Sequence, residues 1–67
     1  MKICERIREL REEKAISRSE LAEAIGVNTR AISYWENGVN DPKASYIYKL
    51  AKFFNVSSDY LLGLQEF

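Results

Sequence analysis

The fold of this chain is constrained most by a short stretch that carries two helix-start signals and one helix-stop signal. Ser17 and Glu20 have the spacing of a capping box, in which a hydroxyl and a carboxylate each bind a free backbone amide at a helix start. Gly26 can adopt the left-handed conformation that ends a helix, and Asn28 is a good N-cap for the next one. The spacing predicts two short helices joined by a tight turn, a helix-turn-helix over residues 18–37.

Apolar periodicity predicts a further helix before this motif. Ile3, Ile7 and Leu10 recur at spacings of three and four, which places them on one stripe of an amphipathic helix over residues 2–14. Within the motif itself, Ile32 and Trp35 share a phase. We therefore expect Trp35 to lie in the core.

Two more helices are predicted after the motif. Asp41 as cap and Pro42 at the first helical position predict a fourth helix that runs to Phe54. Ser57 caps a short last helix through Leu62. The expected fold class is all-α, a compact five-helix bundle that contains the helix-turn-helix. The buried stripe of the fourth helix is expected to comprise Ala44, Ile47, Leu50, Ala51 and Phe54.

Composition excludes several classes of site. With 67 residues, the chain is expected to form a single domain over residues 1–67, with a C-terminal tail at 64–67. Cys4 is the only cysteine and histidine is absent, so neither a disulfide nor a Cys/His zinc site can form. No phosphate-binding loop or catalytic carboxylate pair stands out. We expect no cofactor, no metal and no enzymatic activity.

Charge and hydropathy limit the partners and the location. Ten Lys/Arg residues balance ten Asp/Glu residues, and the pI is near 6.2, which argues against nucleic-acid binding by bulk positive charge but leaves room for a local basic face. No apolar run has the length of a bilayer span, and the first residues lack the apolar segment of a signal peptide. A cytoplasmic protein that does not contact membranes is expected.

The pattern as a whole resembles the phage repressor and Cro helix-turn-helix family, the XRE-like class. The resemblance covers roughly residues 3 to 63 and keeps its spacing across all five predicted helices. It implies a sequence-specific DNA-binding regulator, with a repressor favoured. The stretches that carry it are residues 16–27, 32–38, 40–42, 49–52 and 56–63.

The resemblance also implies which residues would meet DNA. The recognition helix, residues 29–36, would enter the major groove, where its side chains can read base edges. Arg18 stands where the family often has glutamine, so it could contact either a base or a phosphate. The base-reading positions fall on Thr29, Arg30, Ser33 and Tyr34. The phosphate contacts fall on Ser17, Asn28, Asn37, Gly38, Asn40 and Lys43.

Two structural features follow from the same resemblance. An arginine of the first helix would pair with the glutamate that closes the third, which suggests Arg11 with Glu36. Ala15 stands where the family often has a glycine, so a left-handed conformation there would cost about 1 kcal/mol.

The expected partner is double-stranded DNA with an inverted-repeat operator, bound by a homodimer. One recognition helix touches too few base pairs to select a single genomic site, and a two-fold pair solves this problem. Tyr46, Tyr48 and Phe53 cannot all lie on the buried stripe, so they are either surface aromatics or part of a self-association surface. The candidate dimer seam is Phe53, Tyr60, Leu64 and Phe67. The alternative function is a protein-interaction module, such as an antitoxin-like partner, with the same fold.

Overall fold

Five α-helices and short connections make up the computed structural model, which describes residues 2–64. No strand occurs among these described residues, and the all-α prediction is confirmed. The helices are α1 (Lys2–Glu13), α2 (Arg18–Ile25), α3 (Thr29–Glu36), α4 (Ala44–Phe54) and α5 (Ser58–Leu61).

All five helices end in the same way, with a left-handed residue just after the last turn. At the end of α3, the Gly38 N–H donates to Trp35 O at 3.3 Å and the Val39 N–H donates to Tyr34 O at 2.9 Å. This pair of bonds is the Schellman motif, which satisfies carbonyls that the helix leaves unpaired. Ala15 adopts the left-handed conformation despite its Cβ. The five residues, with φ between 56° and 87°, are Ala15, Gly26, Gly38, Asn55 and Gly63.

The core lies where α1 and α2 pack against α3, with α4 packed on α2 and α5 packed on α1 and α4. Ala22 is buried on α2, and a side chain this small lets α2 approach its neighbours closely. Trp35 is 5% exposed, so its predicted place in the core is confirmed. The buried apolar side chains are Ile3, Ile7, Leu10, Leu21, Ala22, Ile25, Ile32, Trp35, Leu50, Ala51, Phe54 and Leu61.

The start of α4 differs from the sequence prediction. The helix begins at Ala44 with Lys43 as its N-cap, so the placement of Asp41 as cap and Pro42 as first helical residue was wrong. Lys43 is extended, with ψ of 160°, and makes no side-chain capping bond. Pro42 is buried. Burial of its ring outweighs its preference for a first helical position. Ala44 then falls in the first turn and is exposed, not buried.

Other helix ends agree with the prediction to within one residue. α1 ends at Glu13 where Lys14 was expected, and α5 ends at Leu61 where Leu62 was expected. Differences of this size are ordinary at frayed helix ends.

The aromatic side chains of α4 divide between core and surface. Tyr46 is half-buried, with its ring centroid 5.5 Å from that of Trp35. Phe53 is also half-buried and meets Phe54 edge-on at 5.1 Å. Tyr48 is 60% exposed. Of the four α4 aromatics, only Tyr48 is therefore a fully surface residue.

Candidate nucleic-acid interface

α3 has an apolar face in the core and a polar face toward solvent. Ile32 and Trp35 are buried on the first face. On the second, Ser33 is half-buried, and the exposed base-reading candidates are Thr29, Arg30 and Tyr34. Their hydroxyl and guanidinium groups can hydrogen-bond to base edges, and a helix of this kind fits the major groove.

The start of α3 is held by two short polar contacts. Asn28 accepts a hydrogen bond from the Ala31 N–H through Oδ1 at 2.8 Å, which confirms its predicted role as N-cap. The hydroxyls of Ser19 and Thr29 lie 3.3 Å apart and join α2 to α3. Sequence reasoning missed the hydroxyl pair, because no local spacing rule connects residues ten positions apart.

The end of α3 is held by a buried ion pair. Arg11 donates from Nε to Glu36 Oε2 at 2.6 Å and from Nη2 to Oε1 at 3.2 Å. Its Nη1 donates to Ile16 O at 3.0 Å, which joins the same guanidinium to the turn after α1. The Glu36 side chain is fully buried and that of Arg11 is 12% exposed. The pair implied by the family resemblance is thus present, and it ties α1 to α3.

The ion pair perturbs the titration of Arg11. The hydrogen bond to Glu36 raises the pKa of the guanidinium above its usual value, although burial acts in the opposite direction. A raised folded-state pKa contributes stability that is complete below the unfolded-state pKa and is lost as pH rises through the folded value. Because an arginine titrates far above neutral pH, this contribution is constant across the ordinary pH range.

Two further arginines converge on the same carboxylate. Arg18 donates from Nε to Glu36 Oε1 at 3.1 Å, and its side chain remains 43% exposed. The Nε of Arg8 lies 4.0 Å from Glu36 Oε1, and its Nη2 donates to the backbone carbonyl of Glu36 at 2.9 Å and to Asn37 Oδ1 at 3.2 Å. Sequence reasoning assigned Arg18 to DNA without foreseeing this contact and missed Arg8. The available signal was the spacing of three between Arg8 and Arg11, which puts both on one face of α1.

The phosphate candidates lie at helix ends and in the loop after α3. Ser17 is the N-cap of α2, and its hydroxyl accepts from the Glu20 N–H at 3.0 Å, which confirms the capping box. Free amides at the start of such a helix favour an anion. Asn37 is the C-cap of α3, Lys43 is the N-cap of α4, and both are exposed. Asn28, Gly38 and Asn40 are exposed as well.

The candidate dimer seam carries aromatic rings beside cationic side chains. The Arg6 guanidinium lies 4.1 Å from the centroid of the half-buried Tyr60 ring. Lys14 Nζ lies 5.3 Å from the ring centroid of Phe53. Leu64 is 75% exposed. Phe67, the fourth member of the predicted seam, lies outside the described residues.

Residues 2–64 can also be described in terms of metal binding, membrane insertion and surface grooves. This part of the chain has no group of three or more His, Cys, Asp or Glu side chains placed to hold a metal ion. Nor does any helix in it have the length and apolarity needed to cross a membrane. An open groove of about 450 Å³ lies between α2 and α4, lined by Ile16, Ser19, Glu20, Glu23, Ala24 and Phe53.

Comparison with known sequences gives one consistent result. A family model described as helix-turn-helix, HTH_3, matches residues 7–61. The transcriptional regulator ImmR of Bacillus subtilis is 33% identical over 66 residues, which is 98% of this chain and 52% of ImmR. The HTH-type transcriptional activator BcrR of Enterococcus faecalis is 36% identical over 66 residues, 98% of this chain and 32% of BcrR. The chain therefore spans about half or less of the length of these relatives.

Solved structures show the same similarity in three dimensions. The crystal structure of the phage P22 c2 repressor in complex with a synthetic operator superposes with a TM-score of 0.86 and 34% identity. The match covers 91% of this chain and 92% of that one. The N-terminal DNA-binding domain of SinR from Bacillus subtilis gives a TM-score of 0.82 and 36% identity, with 90% and 88% covered.

Proposed function

Because this chain belongs to the helix-turn-helix family, in its XRE-type class, we propose that it binds double-stranded DNA sequence-specifically and represses transcription. The observation that carries the proposal is the solvent-exposed polar face of α3, which is rigidly held at its far end by Arg11 and Glu36. The likeness to a repressor in complex with its operator supports it.

In the proposed complex α3 enters the major groove. Thr29 and Arg30 lie in its first turn, the part of a recognition helix that meets base edges in this motif. Arg30 is the main candidate for direct readout, because a guanidinium can bridge O6 and N7 of guanine. Ser33 and Tyr34 follow one turn later and would reach the neighbouring base pairs.

The phosphate contacts would fix the register of α3 without reading sequence. Ser17 and Asn28 stand at the starts of α2 and α3, where backbone amides and helix dipoles favour a phosphate. The other phosphate contacts we assign are Asn37, Gly38, Asn40 and Lys43, which lie between the end of α3 and the start of α4.

DNA binding is tested by selection from random duplexes, followed by titration at several salt concentrations. We expect one sequence to be enriched, and log affinity to fall linearly and steeply with log salt, because cations of the protein displace condensed counterions. No enrichment together with a flat salt response would contradict the proposal and favour the protein-interaction module.

We further propose that two copies bind an inverted repeat as a homodimer. Half-sites of such operators lie about one helical turn apart, roughly 34 Å. One copy measures 27 Å along its longest axis, so two adjacent copies have the right size to span that distance. Phe53 and Tyr60 lie on the proposed seam together with Leu64 and Phe67.

Shortening the chain tests the dimer. A stop codon after Gly63 removes Leu64 and Phe67 and is expected to abolish cooperative binding, while a single half-site is still bound. Gel-shift titrations on full and half operators, with sedimentation of the free protein, measure both effects. A selected site without an inverted repeat, occupied by one copy per duplex, would show that the dimer is wrong.

A further inference from the structure

Arg8 connects two groups at the end of α3. Its Nη2 donates both to Glu36 O at 2.9 Å and to Asn37 Oδ1 at 3.2 Å. A guanidinium has donors and no acceptor, so Asn37 must turn its oxygen toward Arg8. The amide nitrogen Nδ2 of this exposed residue is thereby left as a donor for a group outside the protein.

Positive charge is in excess at the same place. Three arginines lie within 4.0 Å of the single carboxylate of Glu36, and Glu12 is a further acid that acts on Arg11, so positive charge still exceeds negative charge there. Glu36 has no exposed side-chain surface, whereas the side chains of Arg8 and Arg18 are each 43% exposed. An external anion can therefore reach the two arginines but not the carboxylate that holds them.

We propose that Arg8 is a positioning residue that orients the Asn37 amide and, together with Arg18, forms a single site for a DNA backbone phosphate. The inference rests on the proposed DNA binding and adds a cation that sequence reasoning did not assign to the interface. Because phosphates carry no base information, this site supplies affinity and register for α3, equally on specific and random DNA.

Two substitutions of Arg8 separate its charge from its geometry. Arg8→Gln removes a cation near phosphate, so the slope of log affinity against log salt should become shallower by about 0.9, with a loss of affinity of roughly fivefold. Arg8→Lys keeps the charge but lacks the planar guanidinium, whose Nη2 directs two fixed N–H groups at the two oxygens. It should leave the slope unchanged and weaken binding by about threefold on specific and random duplexes alike.

A double-mutant cycle tests whether Arg8 acts through Asn37. In an Asn37→Ala background there is no amide to orient, so Arg8→Lys should weaken DNA binding by less than about twofold.

Lys52→Gln is the matched control for charge removal, because Lys52 lies in the last turn of α4, where its Nζ is 5.7 Å from the Tyr48 ring. It should leave the salt slope as in the wild type. Fluorescence of the single tryptophan, Trp35, shows whether each variant is folded.

The outcomes distinguish this inference from the function on which it rests. If the wild-type chain binds no duplex, the proposed function is contradicted. If the wild type binds but folded Arg8→Gln keeps the wild-type salt slope, Arg8 makes only structural contacts and this inference is overturned. An equal loss of DNA affinity on Arg8→Lys with and without the Asn37 amide would likewise overturn the positioning role of Arg8.

Discussion

The two ends of α3 are built differently. At its start, Thr29 and Arg30 are exposed, and the helix is held there by the Asn28 cap and one hydroxyl contact. At its end, Glu36 is fully buried and binds arginines from α1 and α2. The end of α3 thus anchors the helix to the rest of the protein, and its start presents exposed side chains.

This difference has a physical rationale. A side chain that reads bases needs few intramolecular partners, because every bond it already makes, such as the Thr29 hydroxyl contact with Ser19, has to be broken or shared on binding. A side chain that fixes the helix must be saturated with partners, because a buried charge without them is strongly destabilising. Changes at the start of α3 should therefore alter binding, and changes at its end should alter stability.

The largest effect is expected for Glu36→Gln. It leaves Arg11 without a counter-charge at a site that is 12% exposed, a change that costs about 3–5 kcal/mol. Arg8 and Arg18 add little, since both are near half exposure. A chain of this length has a total stability of roughly 3–10 kcal/mol, so the variant should lose from about a third to all of its stability. Urea denaturation followed by Trp35 fluorescence measures the loss.

Glu23→Gln is the matched control for this experiment. Glu23 is an exposed acid on α2, and the same change there should alter the free energy of unfolding by less than about 0.5 kcal/mol. A loss below about 1 kcal/mol for Glu36→Gln would show that the arginine cluster does not anchor α3.

Arg30→Ala should produce the opposite pattern. Binding to the selected site is expected to weaken by roughly 1–3 kcal/mol, with relaxed preference at one base pair, because a bidentate contact to guanine is lost. The free energy of unfolding should stay within about 0.5 kcal/mol of the wild type, since Arg30 is exposed. Titrations on selected and random duplexes measure the first effect. Equal losses on both duplexes would assign Arg30 to a phosphate.

The same contrast explains which features could be predicted from the sequence. The helix-turn-helix is encoded by local signals, namely the Ser17–Glu20 capping box, Gly26 and Asn28, and local rules place it to the residue. The start of α4 was misplaced because burial of Pro42 is a tertiary effect that no local rule contains.

Long-range polar contacts were the least predictable part of the candidate site. Arg8 reaches Glu36 across 28 positions and Arg18 reaches it across 18, and both contacts depend on how three helices cross. Arg11 was identified through family resemblance, not from spacing. Exposure of the α3 face, in contrast, follows directly from the phase of Ile32 and Trp35.

The smallest effect is expected for Gly38→Ala, which tests whether the helix stop signal also anchors the end of α3. Gly38 has φ of 73°, and an added Cβ would lie 4.0 Å from Cys4 Sγ, an ordinary contact. Only backbone strain remains, about 1–2 kcal/mol, clearly less than the cost of Glu36→Gln. Gly26→Ala is the matched control, because Gly26 has φ of 87° and open space around it, and it should cost the same in urea denaturation. If Gly38→Ala instead destabilised the protein as much as Glu36→Gln, the stop signal would be as important as the arginine cluster. The difference between the two ends of α3 could then not be attributed to the contacts between Glu36 and the arginines.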